Sequence, residues 1–270
     1  MDPATIIGIL LAFGSVFAMV SLEGAHLSSL LLPAPMILVF GATIAVGIAS
    51  GTLKDFFVAI KALPGAFRGK VQPPEQVIEQ VVGLAEKARS SGLLAMEQEA
   101  DAVDDPFLKR ALQNIADGTD GDELRVLLED EIATRSKSDR VAAKFFSSMG
   151  GYAPTIGIIG TVVSLTHVLE NLAEPAELGP MIASAFVATL WGLLSANFLW
   201  LPIGSRLRRL ADLEIERMTL LMEGVLAVQA GSQPRLLGER LRAMIPAGTA
   251  AKNEKAKADK GKDAKLKEAA

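Results

Sequence analysis

The sequence predicts an all-α integral membrane protein: four transmembrane helices, with a helical cytoplasmic domain inserted between the second and third. Three observations carry this prediction. Four long stretches contain no Asp, Glu, Lys or Arg. The Lys and Arg residues cluster where four crossings would place them on one side. No alternating apolar and polar pattern marks a strand. Half of the 270 residues are hydrophobic, a share that an ordinary soluble core would not arrange in runs of twenty.

The first stretch is Ala4 to Leu22 and the second Leu30 to Ser50. The third, Phe145 to Val168, is interrupted only by the polar His167, and the fourth is Met181 to Ile203. Each is long enough to cross a hydrocarbon core of about 30 Å as a helix. The first is read as a retained anchor, because Met1-Asp2-Pro3 lacks the basic start of a secretory signal.

Orientation follows from charge. The segments Glu23 to Ser29 and Leu169 to Pro180 hold no Lys or Arg, and the latter carries Glu170, Glu174 and Glu177. By contrast, Lys54, Lys61, Arg68 and Lys70 follow the second run, Arg135, Lys137, Arg140 and Lys144 precede the third, and Arg206, Arg208 and Arg209 follow the fourth. The N-terminus, the insert and the C-terminus of this multi-pass chain are therefore expected in the cytoplasm.

The expected organisation is a transmembrane hairpin at 1–50 (spans about 4–22 and 30–50), a cytoplasmic helical domain at 51–144, and a second hairpin at 145–203 (spans about 145–168 and 181–203). Cytoplasmic C-terminal helices at 204–246 and a disordered charged tail at 247–270 complete it. Within the insert, Pro73-Pro74 precedes an apolar stripe from Val77 to Ala88. Further helices are expected at Leu93 to Ala102, Pro106 to Ala116 and Asp122 to Lys144, with a turn at Gly118 to Gly121. The acids Glu123, Glu129, Asp130 and Glu131 read as a solvated helix face. After the fourth span, apolar residues from Leu207 to Leu226 form a stripe suited to packing against the insert.

No catalytic constellation can be assembled. His26 and His167 are the only histidines and cysteine is absent, so the chain is expected to be no enzyme and to hold no cofactor or metal. Gly65 to Lys70 lacks the length, the Ser/Thr and the preceding strand of a phosphate loop. Mid-membrane positions offer no carboxylate, only Thr43, Thr155, Thr161, Ser164, Thr189, Ser195 and Asn197. A hydroxyl can line an ion path but cannot carry the charge, so an ion-handling role would need a carboxylate from another subunit. The alternative for each hydroxyl is a bond to a backbone carbonyl or a neighbouring helix. Gly150, Gly151, Gly157, Gly160 and Gly192 allow helices to approach closely, and Pro154 and Pro202 interrupt their helices' hydrogen bonding.

Ala153-Pro154-Thr155-Ile156-Gly157-Ile158-Ile159-Gly160-Thr161-Val162 resembles the third-span signature of the flagellar motor stator A subunits, the MotA/PomA family within the MotA/TolQ/ExbB proton channel superfamily. Ala185 to Gly192, with Ala196-Asn197 and Leu201-Pro202-Ile203, is similar to that family's fourth span. Glu23-Gly24 with Leu38 to Thr43 resembles its first hairpin, although Ala25 and Ala42 stand where glycine is commoner. Arg89 to Glu97 resembles the cytoplasmic stretch that meets the rotor, and the likeness covers about residues 4 to 246.

The resemblance implies a homopentamer around two single-span B subunits (MotB/PomB-like) that supply the ion-binding Asp, with ion flow turned into torque on the rotor switch protein FliG. It also implies a place in the bacterial inner membrane and in flagellar rotation and chemotaxis, with membrane lipid around the chain and no nucleic-acid partner. By position it assigns Thr161 and Thr189 to the ion path, Pro154 and Pro202 to conformational hinges, and Arg89 and Glu97 to rotor contact. His167 to Leu172 looks like proton-driven members, which favours H+ over Na+, whereas Thr161 is also the residue expected in sodium-driven ones. Two alternatives are an ExbB/TolQ-type energiser of outer-membrane processes and a stand-alone transporter. The energisers carry their large segment after the first span, and a transporter would show intramembrane charges or inverted repeats.

Overall fold

The structure is a computed structural model and describes residues 4–24 and 26–245. Ala25 and the charged tail expected at 247–270 lie outside the described residues. The described residues are helical with short connections, and two compact units form. One comprises residues up to Lys70 together with Lys137–Ala211, and the other Val71–Ser136 with the chain from Asp212 onward.

In the first unit, α1 (Ala4–Leu22) coincides with the first charge-free run. A 3₁₀ turn at Leu27–Leu30 and Pro33 delay α2 (Pro33–Ala49) by three residues relative to the expected start at Leu30. This places α2 near the lower limit of about 17 residues for a crossing. The helix α3 (Leu53–Arg68) has no counterpart in the expected organisation. Its signal is local: Thr52 and Asp55 form a capping box, each side chain bonding the other's backbone N–H at 3.2 and 3.0 Å. Ala59 and Ala66 of α3 are buried with Ala142, Phe145, Phe146, Met149, Ile203 and Leu207.

Two long helices belong partly to each unit. Helix α7 is continuous for 50 residues (Gly121–Glu170), and α8 runs for 55 (Pro175–Gln229). The expected boundary at 144/145 is not a helix end, because nothing at Lys144-Phe145 interrupts the backbone ladder, and the two units divide earlier, at Ser136/Lys137. Helices α1, α7 and α8 leave Leu10, Leu11, Ile158, Val163 and Phe186 exposed. Outward apolar side chains of this kind suit hydrocarbon or partner helices.

The second unit contains α4 (Pro74–Ser91), α5 (Met96–Ala102), α6 (Pro106–Ala116), the start of α7, the end of α8, and α9 (Pro234–Ala243). Its core takes Ile78 and Val81 from α4, Leu108 and Leu112 from α6, Leu124 and Leu128 from α7, and Leu221 and Val225 from α8. Leu237 and Leu241 of α9 close it. Polar ties surround this core. Glu223 accepts hydrogen bonds from Arg125 at 2.8 Å and Arg240 at 3.1 Å, joining α7, α8 and α9. Arg217 pairs with Asp105 and with Glu214. Burial opposes its charge, but the hydrogen bonds of Glu214 and Asp105 outweigh that and raise the guanidinium's affinity for its proton. Of the acids expected on a solvated face, Glu123, Glu129 and Asp130 are exposed, while Glu131 is half-buried against Arg110.

The capping box carries a pH signature. The hydrogen bonds from the Thr52 backbone and hydroxyl lower the pKa of Asp55. A lowered folded-state value stabilises above the ordinary carboxylate pKa and is lost as pH falls through the lowered value. Relative to Asp55→Asn, protection of amides 52–56 from hydrogen exchange is expected to be greater at neutral pH and to converge with the variant's below about pH 4. A difference that persisted unchanged in acid would show that the charge contributes nothing.

Candidate functional site

The chemistry-bearing hydroxyls meet where the membrane parts of α7 and α8 run antiparallel. Glycines set the distance between them. A Cβ on Gly157 would lie 2.9 Å from the Ala188 carbonyl oxygen, and one on Gly192 would lie 2.8 Å from that of Ala153. Both separations are shorter than side chains tolerate, so only glycine permits this approach. The register continues along the helices, with Gly150 against Leu201 and Gly204 against Ser147 and the Ala143 carbonyl.

Thr161 and Thr189 face each other across this contact. Their hydroxyls are mutually hydrogen-bonded. Thr161 Oγ1 also lies 3.1 Å from the Gly157 carbonyl of its own helix and 3.1 Å from the Ala185 carbonyl of α8. Both residues are half-buried. The other candidate hydroxyls behave differently: Thr155 bonds the Tyr152 carbonyl, Ser195 that of Gly192, and the Asn197 amide that of Leu193. These are local bonds within one helix, the alternative the sequence left open.

Pro154 and Pro202 are half-buried in α7 and α8. Pro154 lies between Gly150, which meets Leu201, and Gly157, which meets Gly192, so it stands across from the segment Ser195–Trp200. That segment is a π-helical turn, and Pro202 follows it. A proline's ring crowds the carbonyl four residues back, here that of Phe198 inside the π turn.

Arg89 and Glu97 lie in the second unit, away from the hydroxyl pair in sequence and in unit. Arg89 is exposed in the last turn of α4, and Glu97 is exposed in the first turn of α5. Gly92, at φ +82°, supplies the left-handed residue that joins the two helices. A Lys87–Glu99 ion pair at 2.7 Å braces the same junction.

Comparison with known proteins places this arrangement. The Motility protein A N-terminal family model matches residues 6–92, and that of the MotA/TolQ/ExbB proton channel family matches 99–220. Motility protein A of Bacillus subtilis is 33% identical over 252 residues, covering 92% of both chains. The chain belongs to the motility protein A family. Chemotaxis protein PomA of Vibrio alginolyticus is also similar, at 32% identity over 92% of this chain and 97% of its own. Among solved structures, a chain of C. jejuni MotAB superposes with a TM-score of 0.87 at 26% identity, covering 92% of this chain and 97% of that one. A chain of the flagellar MotAB stator complex from Bacillus subtilis gives 0.86 at 32%, covering 93% and 99%.

Two features of this motility protein A family chain escape a reading of the sequence. The Trp191 indole donates to the Leu30 carbonyl at 2.6 Å, tying the first hairpin to α8, and Phe40 packs on the same ring at 5.8 Å. The π turns at Ile37–Gly41 and Ser195–Trp200 have no composition signature. Trp191 alone could have been flagged, since a tryptophan in an apolar span needs an acceptor for its N–H.

The glycine contact yields a direct test. Gly192→Ala is expected to force α7 and α8 apart, destabilising the complex by about 1–3 kcal/mol, as overpacking does. Gly83→Ala in α4, where a Cβ meets nothing within 4 Å, serves as the neutral or slightly stabilising control. Equal melting temperatures for the two variants would refute the close contact.

Proposed function

We propose that this chain is a stator subunit of the bacterial flagellar motor, forming with a B subunit an ion channel that converts proton-motive force into torque on the rotor. The observation that carries this reading is the likeness to chains of two MotAB complexes over almost the whole chain. In the proposed assembly, five copies surround a MotB-like partner with one span per chain, whose aspartate binds the coupling ion. That partner supplies the carboxylate the four spans lack. The work is conformational, with no bond chemistry on this chain.

Thr161 and Thr189 line the ion path in this reading, supported by their mutual hydrogen bond beside the glycine contact of α7 and α8. Pro154 and Pro202 act as the hinge positions. Both interrupt backbone hydrogen bonding beside the π turn at Ser195–Trp200. Arg89 and Glu97 contact FliG, supported by their exposure on a glycine-hinged, ion-paired junction. The termini and the insert face the cytoplasm, where Lys54, Arg140, Arg206 and their neighbours would sit against anionic lipid. Protons are the proposed coupling ion, on the likeness of His167 to Leu172 to proton-driven members.

The test is flagellar rotation in a stator-less cell that expresses the chain with its cognate B subunit in sodium-free medium. Rotation supports both the stator role and proton coupling. Rotation only after sodium is added would overturn the choice of ion, and silence in both media, with the complex present in the membrane, would overturn the function. In the rotating strain, Thr189→Val is expected to lower ion flux while leaving assembly intact, and unchanged flux would remove Thr189 from the path. Reversal of Arg89 to Glu should reduce torque with normal membrane insertion. Neutralising it should have a smaller effect, since exposed pairs contribute about 0–1 kcal/mol.

A further inference from the structure

Two polar groups of the membrane part are buried without a hydrogen-bond partner among the described residues: the hydroxyl of Thr43, a residue with no exposed surface, and the indole N–H of Trp200. Each contrasts with residues of its own type. The hydroxyls of Thr155, Thr161 and Thr166 all reach a carbonyl one turn back in their own helix. The Trp191 indole finds the Leu30 carbonyl. An orphaned donor in an apolar interior forfeits the hydrogen bond that water gave it in the unfolded chain, so such groups are rare and call for a partner.

Both orphans lie at the C-terminal side of π-helical turns. Thr43 follows the turn at Ile37–Gly41 by two residues, and Trp200 ends the turn at Ser195–Trp200. A π turn inserts one residue and shifts the side chains after it, which takes a Thr hydroxyl out of register with the carbonyl four residues back. The two turns are also neighbours in space. The rings of Phe40 and Trp200 meet edge-on at 6.3 Å, and Phe146 stacks on Trp200 at 6.5 Å.

Val39, Thr43 and Gly47 form the buried ridge of α2, one turn apart from each other. At Gly47 this ridge sits on the same cluster, where a Cβ would lie 3.0 Å from Met149 Cγ and 3.3 Å from Phe145 Cζ. The ridge that carries Thr43 and the ring that carries the Trp200 N–H therefore border one patch, built from Phe40, Phe145, Phe146 and Met149.

We propose that Thr43 and Trp200 hold one buried water molecule, which accepts a hydrogen bond from Trp200 Nε1 and donates one to Thr43 Oγ1. The chemistry selects water over an ion. The indole presents a donor only, which repels a cation, and neither group carries charge. Buried waters in proteins make two to four hydrogen bonds to groups left otherwise unsatisfied, and a donor plus a hydroxyl meets that need. The water is a structural pin between α2 and α8, separate from the Thr161–Thr189 pair, and it does not depend on the identity of the coupling ion.

The test is ultraviolet resonance Raman spectroscopy of the chain purified with its B subunit, using the indole modes that report N–H hydrogen bonding. The chain has two tryptophans, and Trp200→Phe assigns the signals. Trp200 is expected to read as hydrogen-bonded, to shift toward a free N–H in the isosteric Thr43→Val variant, and to stay bonded in Thr43→Ser. A free N–H in the wild type, or a bonded one that Thr43→Val does not move, would overturn the proposal. A wild-type density map that resolves ordered water elsewhere in the membrane part decides the case without any variant. A solvent peak within hydrogen-bond distance of both atoms supports the site, and direct contact between the two side chains, or no peak, overturns it.

Discussion

The membrane part of this protein depends on one constraint: the backbones of α7 and α8 touch at Gly157 and Gly192. Inside hydrocarbon there is no hydrophobic gain from bringing two helices together, because lipid is as apolar as leucine. Packing and interhelical hydrogen bonds must supply the association. Glycine serves both. It lets main-chain atoms come within van der Waals contact, and it brings the Ala185 carbonyl of one helix within reach of the Thr161 hydroxyl of the other. With a larger residue at either glycine, the hydroxyl pair would be pulled apart along with the helices. The site is thus a consequence of the packing rather than an addition to it.

The second unit is held by different means. Its helices bury Ile78, Leu112, Leu128 and Leu221 as a soluble bundle would, and its ion pairs lie at the margins of that core. Glu223 illustrates the economy of the arrangement, since one carboxylate ties three helices through Arg125 and Arg240. Such charge-assisted bonds are stronger than neutral ones, provided that both partners stay hydrated at one edge.

Much of this was legible in the sequence. Charge-free runs gave the spans, because an unpaired charge in hydrocarbon is costly enough to leave a clear gap in the pattern. The helix expected from Pro106 is α6, and the structure adds its cap: the Asp105 carboxylate accepts from the Phe107 N–H at 2.9 Å. Helix α3 was missed although its pattern is amphipathic. Lys54, Asp55, Lys61 and Arg68 share one face, and the apolar arc opposite runs on from the buried Ala59 and Ala66 to the exposed Leu53, Phe57 and Ile60, so the amphipathic signal was present and was overlooked directly after an apolar span. The π turns were illegible for another reason: they shift the helical period by one residue within runs that carry no charge to mark a face. The pairing of Thr161 with Thr189 joins residues 28 apart, and no local spacing encodes it. The resemblance could name both residues, but only the fold brings them into contact.

The hydroxyl pair also limits what this chain can do alone. Thr161 Oγ1 has one proton and three acceptors within reach: the Gly157 and Ala185 carbonyls and the Thr189 hydroxyl. Exchanging among them costs little, because each exchange replaces one neutral hydrogen bond by another. Such a pair can turn to meet a passing ion or water. It cannot hold a charge, since moving an ion beside neutral groups in a low-dielectric interior leaves most of its lost hydration uncompensated. Under the proposed function the compensating charge must arrive on a separate chain, and the two threonines provide the adaptable wall along which that charge is presented. A carboxylate built into α7 or α8 would fix the ion to this subunit. The absence of one from their spanning segments leaves the ion free to travel with the partner.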